Sequence, residues 1–319
     1  MQTLKRGSLA LVVSMLTGCT FETVRLNPCT PSQTDQDCAG PTEVRTEPAI
    51  DPGSDQVQRF FAVGDAGLSL ADDPTKLAPS TVAVQRLVQR VCRSRGGCDF
   101  GVFLGDNVYE SGVVGEPQSA FLETFSATYS EGWQIPLIFV LGNHDYSPYV
   151  ASTQRARQEL STLQTLSDRH HGLIRGRAHF FDFQATPLHL FAWDTNYLVR
   201  VCDQQLGAQP ECVAEGDQAL RALAASKSPF KIWLGHHPFW SNGEHGDAGE
   251  FEECLGPLCF PPWPGDGLRQ LAKEHVIGHA DLMLAGHDHN LQAFSAPELR
   301  GTALVVSGAG AKKNPLGRD

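Results

Sequence analysis

The sequence predicts an α/β protein, and three observations predict it. Short apolar runs recur at 59–63, 101–104, 136–141, 188–193, 231–234, 282–285 and 303–306, most of them continuous rather than alternating. Continuous runs are the mark of strands buried on both faces. Between the early runs the apolar residues switch to helical spacing, so strand and helix alternate. Polar blocks follow several of the runs, at the strand ends where open α/β sheets place their sites.

The elements follow in order. Lys5 and Arg6 precede an apolar stretch over 9–16, too short to span a bilayer and suited to a signal-peptide core. It ends in Leu16-Thr17-Gly18-Cys19, which resembles a bacterial lipobox. Residues 1–18 are therefore expected to be a lipoprotein signal peptide, with Cys19 acylated and acting as the membrane anchor. Several acyl chains anchor stably where one is marginal. Residues 19–56 are rich in Thr, Pro, Asp, Glu and Gln and read as a flexible tether. The domain is expected over 57–319, opening with the strand 59–63. Val84, Leu87, Val88 and Val91 give a helix over 80–92, and Phe121, Leu122 and Phe125 mark another. Strands fill the remaining apolar runs. After residue 19 the sequence shows no transmembrane segment and no internal repeat.

Bulk properties narrow the function. The chain has 319 residues, 41% hydrophobic, with a formal net charge of −11. That length supports one large domain or two small ones. The acidic balance gives no electrostatic footprint for nucleic acid. An anionic substrate would need local positive charge, which bound metal ions supply. Nine cysteines are present, and setting Cys19 aside leaves neighbours: Cys29 and Cys38, Cys92 and Cys98, Cys202 and Cys212, Cys254 and Cys259. Four local disulfides in an oxidising compartment are the simple reading, although connectivity does not follow from sequence. Zinc is the competing reading, but no pair has Cys-x-x-Cys spacing. An exported bacterial lipoprotein fits both signals, at the outer membrane, in the periplasm or on the cell surface.

Five blocks carry the chemistry: Gly64-Asp65-Ala66-Gly67, Gly105-Asp106-Asn107-Val108-Tyr109, Gly142-Asn143-His144-Asp145, Gly235-His236-His237-Pro238 and Gly286-His287-Asp288-His289. An Asp after a strand is ordinarily a turn former or a helix cap. The ordered set is harder to explain that way. Asp65, Asp106, Asn143, His236, His287 and His289 are hard-to-borderline ligands that suit Fe, Zn or Mn. Asp106 has two oxygens and can bridge two ions, as two-metal phosphatase sites require. The other histidines, His170, His171, His179, His189, His275 and His279, are expected to pack or to face solvent.

The ordered set resembles the calcineurin-like metallophosphoesterase superfamily. Many relatives carry Asp-x-His in the first block; here that position is Gly67, and Tyr109 stands three residues after Asp106. This swap resembles the purple acid phosphatases, whose Tyr phenolate binds Fe(III). The run Gly235-His236-His237-Pro238, with His245 nine residues after His236, resembles the tartrate-resistant acid phosphatases of animals, of the uteroferrin type. His237 stands where that family has Tyr. The resemblance covers roughly 59–311.

The resemblance implies a two-sheet sandwich flanked by helices, here lacking its last strands, because relatives continue for another pair beyond the run at 303–306. It implies two metal ions: Fe(III) on Asp65, Asp106, Tyr109 and His289, and a divalent Fe, Zn or Mn ion on Asp106, Asn143, His236 and His287. It implies that His144 and His245 orient phosphate and handle protons, with Asp145 holding the His144 loop. Imidazole suits such work, since it titrates near neutrality. The implied activity is hydrolysis of phosphate monoesters by attack of metal-bound hydroxide. The same ligands would serve a phosphodiesterase or nucleotidase, a redox role for the iron pair, or a non-catalytic lipoprotein that binds metal or phosphate. The loops after Tyr109, around 146–180 and around 241–265 are expected to line the cleft and set specificity.

Overall fold

The computed structural model describes residues 21–25, 43–46, 59–130, 135, 137–147, 153–166, 180–185, 188–196, 199, 221–249, 254–255, 258–259 and 265–317. The signal-peptide region, Cys19, Cys29, Cys38, Cys202 and Cys212 lie outside these, as do His170, His171 and His179.

Two sheets stack face to face. The smaller has three parallel strands in the order β3 (Phe60–Val63), β4 (Phe100–Leu104) and β5 (Leu137–Val140). Among the described residues the larger has eight strands. Its centre is parallel: β7 (Leu188–Trp193) beside β8 (Phe230–Leu234), then β11 (Leu282–Ala285), then β13 (Ala303–Ser307). Antiparallel strands flank this centre: β12 (Leu291–Phe294) outside β13, and β6 (Phe180–Ala185) outside β7. β13 is therefore interior to the sheet, and β12 is its edge. Beyond β6 lie β1 (Phe21–Arg25) and β2 (Glu43–Thr46). Those two short strands fall where a tether without strands was expected. Phe21, Thr23, Val24, Val44 and Thr46 give both segments the β-branched and aromatic content that strands favour.

The period-2 alternation of strands explains how both faces are buried. Phe60, Phe100, Val102, Leu104, Ile138 and Val140 point from the small sheet onto Leu190, Ala192, Ile232, Leu234 and Leu284 of the large one. The alternate residues Phe61, Val63, Phe103, Leu137 and Phe139 turn outward onto helices. Those helices are α1 (Pro79–Ser94), α2 (Glu116–Ser130) and α3 (Thr153–Leu166). Behind the large sheet, Phe191, Trp193, Trp233 and Met283 meet Ala272 and Val276, in the π-turn that continues α4 (Asp266–Leu271). The expected two-sheet α/β sandwich flanked by helices is the observed architecture.

Local chemistry sets the boundaries. Pro79 starts α1, where its fixed φ and missing N–H are harmless. Gly96 and Gly97 end it with φ of 87° and 110°. The Cys92–Cys98 disulfide then joins the end of α1 to the start of β4. Cys254 and Cys259 are cross-strand partners in the hairpin of β9 (Cys254–Leu255) and β10 (Leu258–Cys259). Among the described residues no helix is long and apolar enough to cross a membrane.

Candidate metal centre

All five blocks sit at the C-terminal ends of parallel strands: Asp65 after β3, Asp106 after β4, Asn143 after β5, His236 after β8 and His287 after β11. The two sheets present these ends to one another, so residues far apart in sequence converge. Asp65, Asp106 and His236 are buried, with ligand-type atoms all within 4.8 Å of one another.

The backbone that aims them is unusual. Asp65, Asp106 and His287 have φ of 58°, 56° and 70°. Left-handed backbone is uncommon outside glycine and costs energy that the surroundings must hold in place. Each of the three directly follows a glycine that lets another loop approach. A β-carbon on Gly142 would lie 2.3 Å from Asp106 Oδ1, and one on Gly286 would lie 2.7 Å from Asp65 Oδ2.

The side chains form two adjoining groups. In one, the Tyr109 hydroxyl lies 3.1 Å from Asp65 Oδ1 and 3.1 Å from His289 Nε2. In the other, His236 Nε2 lies 2.9 Å from Asn143 Oδ1, 3.4 Å from Asp106 Oδ1 and 3.2 Å from His287 Nδ1. Asp106 belongs to both sides: its charge acts on Tyr109 as well as on His236. The structure thus brings together every residue expected as a ligand.

The hydrogen positions and buried donor atoms of this set favour a bound cation. His236 Nδ1 is 2.8 Å from the Leu104 carbonyl oxygen, which only accepts, so Nδ1 carries the hydrogen. His236 Nε2 is thereby left facing the oxygens of Asn143 and Asp106. Among the described residues, buried His287 Nε2 has no hydrogen-bond partner. Converging nitrogen and oxygen ligand atoms, all buried, suit a cation. The electrostatics agree. Burial, then the neighbouring histidines, push His287 well below its ordinary range, so it stays neutral and able to ligate. Burial pushes Asp65 well up, and burial with the Asp106 and Asp65 charges raises the Tyr109 phenol. Burial also opposes ionisation of Asp106, but His236 and His144 bring its carboxyl below the usual range.

The histidines expected to handle protons lie at the rim. His144 Nδ1 donates to the Glu110 carbonyl at 2.6 Å, leaving Nε2 3.9 Å from Asp106 Oδ2. The His245 ring is centred 4.5 Å from that of His287 and 5.8 Å from that of His289. Of the histidines expected elsewhere, His189 packs on Phe191 and bonds Ser226, while His275 is exposed.

Several supporting residues were not foreseen. Asp145, expected only to hold its own loop, clamps two: it accepts from the N–H groups of Asn107 at 2.8 Å, Val108 at 3.0 Å and Gly142 at 2.7 Å. Asn107 and Glu159 of α3 back it from behind. The Thr195 hydroxyl accepts from the N–H groups of His236 and His237, so its one proton goes to His237 Nδ1. Residues 310–314 fold across the site, with the Asn314 N–H on the His289 carbonyl and Lys312 Nζ 3.7 Å from the Tyr109 ring centre. No periodic pattern flags these residues. Parts of the loops expected to line the cleft, at 148–152, 167–179 and 250–253, lie outside the described residues.

Comparison with known proteins agrees with the geometry. The profile of calcineurin-like phosphoesterases matches residues 59–291. The chain belongs to that family. It is 30% identical over 281 residues to human (Homo sapiens) tartrate-resistant acid phosphatase type 5, covering 85% of this chain and 78% of the human one. It is 30% identical over 226 residues to purple acid phosphatase 17 of Arabidopsis thaliana, covering 67% of this chain and 59% of the other. Among solved structures, purple acid phosphatase PPD1 from yellow lupin (Lupinus luteus) superposes with a TM-score of 0.54 at 16% identity, covering 82% of this chain and 46% of that one. GAP50 of Plasmodium, described as an anchor in the inner membrane complex, superposes with a TM-score of 0.56 at 18% identity, over 82% of this chain and 75% of that one. Those two likenesses speak to the fold. The calcineurin-like phosphoesterase domain is a hydrolase of phosphoric esters, and the family implies two metal ions.

Proposed function

We propose that the chain is a binuclear-metal acid phosphatase acting on small phosphate monoesters. The observation that carries this reading is Tyr109. Its hydroxyl lies between Asp65 and His289, beside the block in which Gly67 leaves no side chain to serve as a ligand. Asp65, Asp106, Tyr109 and His289 would hold Fe(III). Asp106, Asn143, His236 and His287 would hold a divalent Fe, Zn or Mn ion. Two such ions supply positive charge to a phosphate and acidity to a water.

The chain's own residues do the rest. His144, fixed by the Glu110 carbonyl, orients the phosphate at the Asp106 side. His245 gives its proton to the leaving alkoxide oxygen as the P–O bond breaks, and becomes neutral. The fixed histidines and buried carboxylates hold these groups in place before the substrate arrives.

Colour and activity test the proposal together. The iron-loaded protein, with β1 and β2 retained, should be purple and should hydrolyse aryl phosphates at acid pH. Tyr109→Phe should lose the visible band while keeping the fold. A colourless iron-loaded wild type would sink the Fe(III)-phenolate reading, and faster turnover of diesters than of monoesters would favour a phosphodiesterase instead.

A further inference from the structure

The loop after β8 carries His245 over the centre, and two of its polar anchors meet on one carboxylate. Asp288, fully buried, stands on the turn between His287 and His289. Its Oδ1 accepts the His245 N–H at 2.9 Å, and its Oδ2 accepts the Ser241 hydroxyl. The direction of the second bond is fixed. Ser241 Oγ already accepts the Gly243 N–H at 2.9 Å and Gln292 Nε2 at 2.8 Å, so its own proton goes to Asp288. Gln292 Oε1 in turn accepts the Asn242 N–H at 2.7 Å. The loop is pressed onto this carboxylate: a β-carbon on Gly243 would lie 2.2 Å from Asp288 Oδ1.

We infer that Asp288 is the positioning residue for His245. It ties the His245 backbone, from which the imidazole projects, to the same turn that carries His287 and His289, so acid and ligands share one frame. The inference rests on the reading of His245 as the acid for the leaving group. Asp288→Asn sets an amide NH₂ against a donor, either the His245 N–H or the Ser241 hydroxyl. The hydroxyl cannot absorb the change by accepting, because its lone pairs are taken.

The test is a leaving-group series on metal-loaded protein, from nitrophenyl phosphate to simple alkyl phosphates. General acid catalysis contributes ~10²–10⁴-fold, and it matters most when the departing oxygen is strongly basic. Asp288→Asn should lower kcat on alkyl phosphates by roughly 100-fold or more, with nitrophenyl phosphate falling less than about tenfold and metal content unchanged. Ser241→Ala, which spares the turn between the ligands, should show the same slope with a smaller loss. His245→Ala separates the two readings. A flat leaving-group profile for His245→Ala removes the acid role itself. A steep His245→Ala profile beside uniform losses in Asp288→Asn and Ser241→Ala overturns the positioning role alone. So does loss of metal from Asp288→Asn combined with a uniform profile in Ser241→Ala.

Discussion

Replacing Glu159 with Gln should change how the metal-free protein responds to pH. Glu159 is fully buried on α3, its Oε1 accepts Asn107 Nδ2–H at 3.1 Å, and its carboxyl lies against that of Asp145. Burial raises it from an ordinary value of 4.5 to about 7. The folded chain therefore holds this proton through a range in which the unfolded chain releases it. The stabilisation is full below about pH 4.5 and is lost as pH rises through about 7. At about 1.4 kcal/mol per pH unit, the loss across that window is of order 3 kcal/mol. Gln cannot titrate, yet it keeps the acceptor for Asn107 and offers Asp145 an N–H. Urea unfolding of both proteins in a chelator, at intervals from pH 4.5 to 7.5, reads the effect of the Glu159–Asp145 pair as the difference between their curves. Wild type should lose roughly 3 kcal/mol relative to Glu159→Gln over the window. Parallel curves would show that the buried carboxyl is not a proton store, and would refute the reasoning.

Two further outcomes follow from clearance and from chain entropy. Gly142→Ala would place a methyl group on Asp106 Oδ1, so it should cost at least about 100-fold in phosphatase activity, with most metal lost on dialysis, while far-UV circular dichroism stays unchanged. Cys92→Ser opens a disulfide with a sequence separation of 6, which should lower unfolding stability by about 2 kcal/mol in denaturant titrations and leave KM unchanged.

Much of the fold was legible because its strands are buried on both faces. β4 and β5 are buried at every position, and such runs stand out in a chain of ordinary composition. The elements that escaped notice have mixed surroundings. β12 leaves Leu291 exposed at a sheet edge, and α3 hides the ionisable Glu159 among its apolar contacts, so neither presents a clean apolar pattern. β1 and β2 are short segments in a polar stretch, held by backbone pairing that composition does not announce. The centre divides in the same way. Asp106, Tyr109 and His236 were readable because their residue types name a chemistry. Asp288, Thr195, Asn107 and Glu159 were not, because each acts by accepting or relaying hydrogen bonds across the fold. Thr195 meets the N–H of His236 from 41 residues away, and no local spacing records that.

The shared left-handed turn at Asp65, Asp106 and His287 separates two variables that are usually inherited together. The backbone decides where a side chain is delivered, and the residue type decides what arrives. The same turn delivers a carboxylate twice and an imidazole once. Carboxylate and imidazole thus reach the centre on one backbone shape, and Gly142 and Gly286 leave that shape almost no room to move.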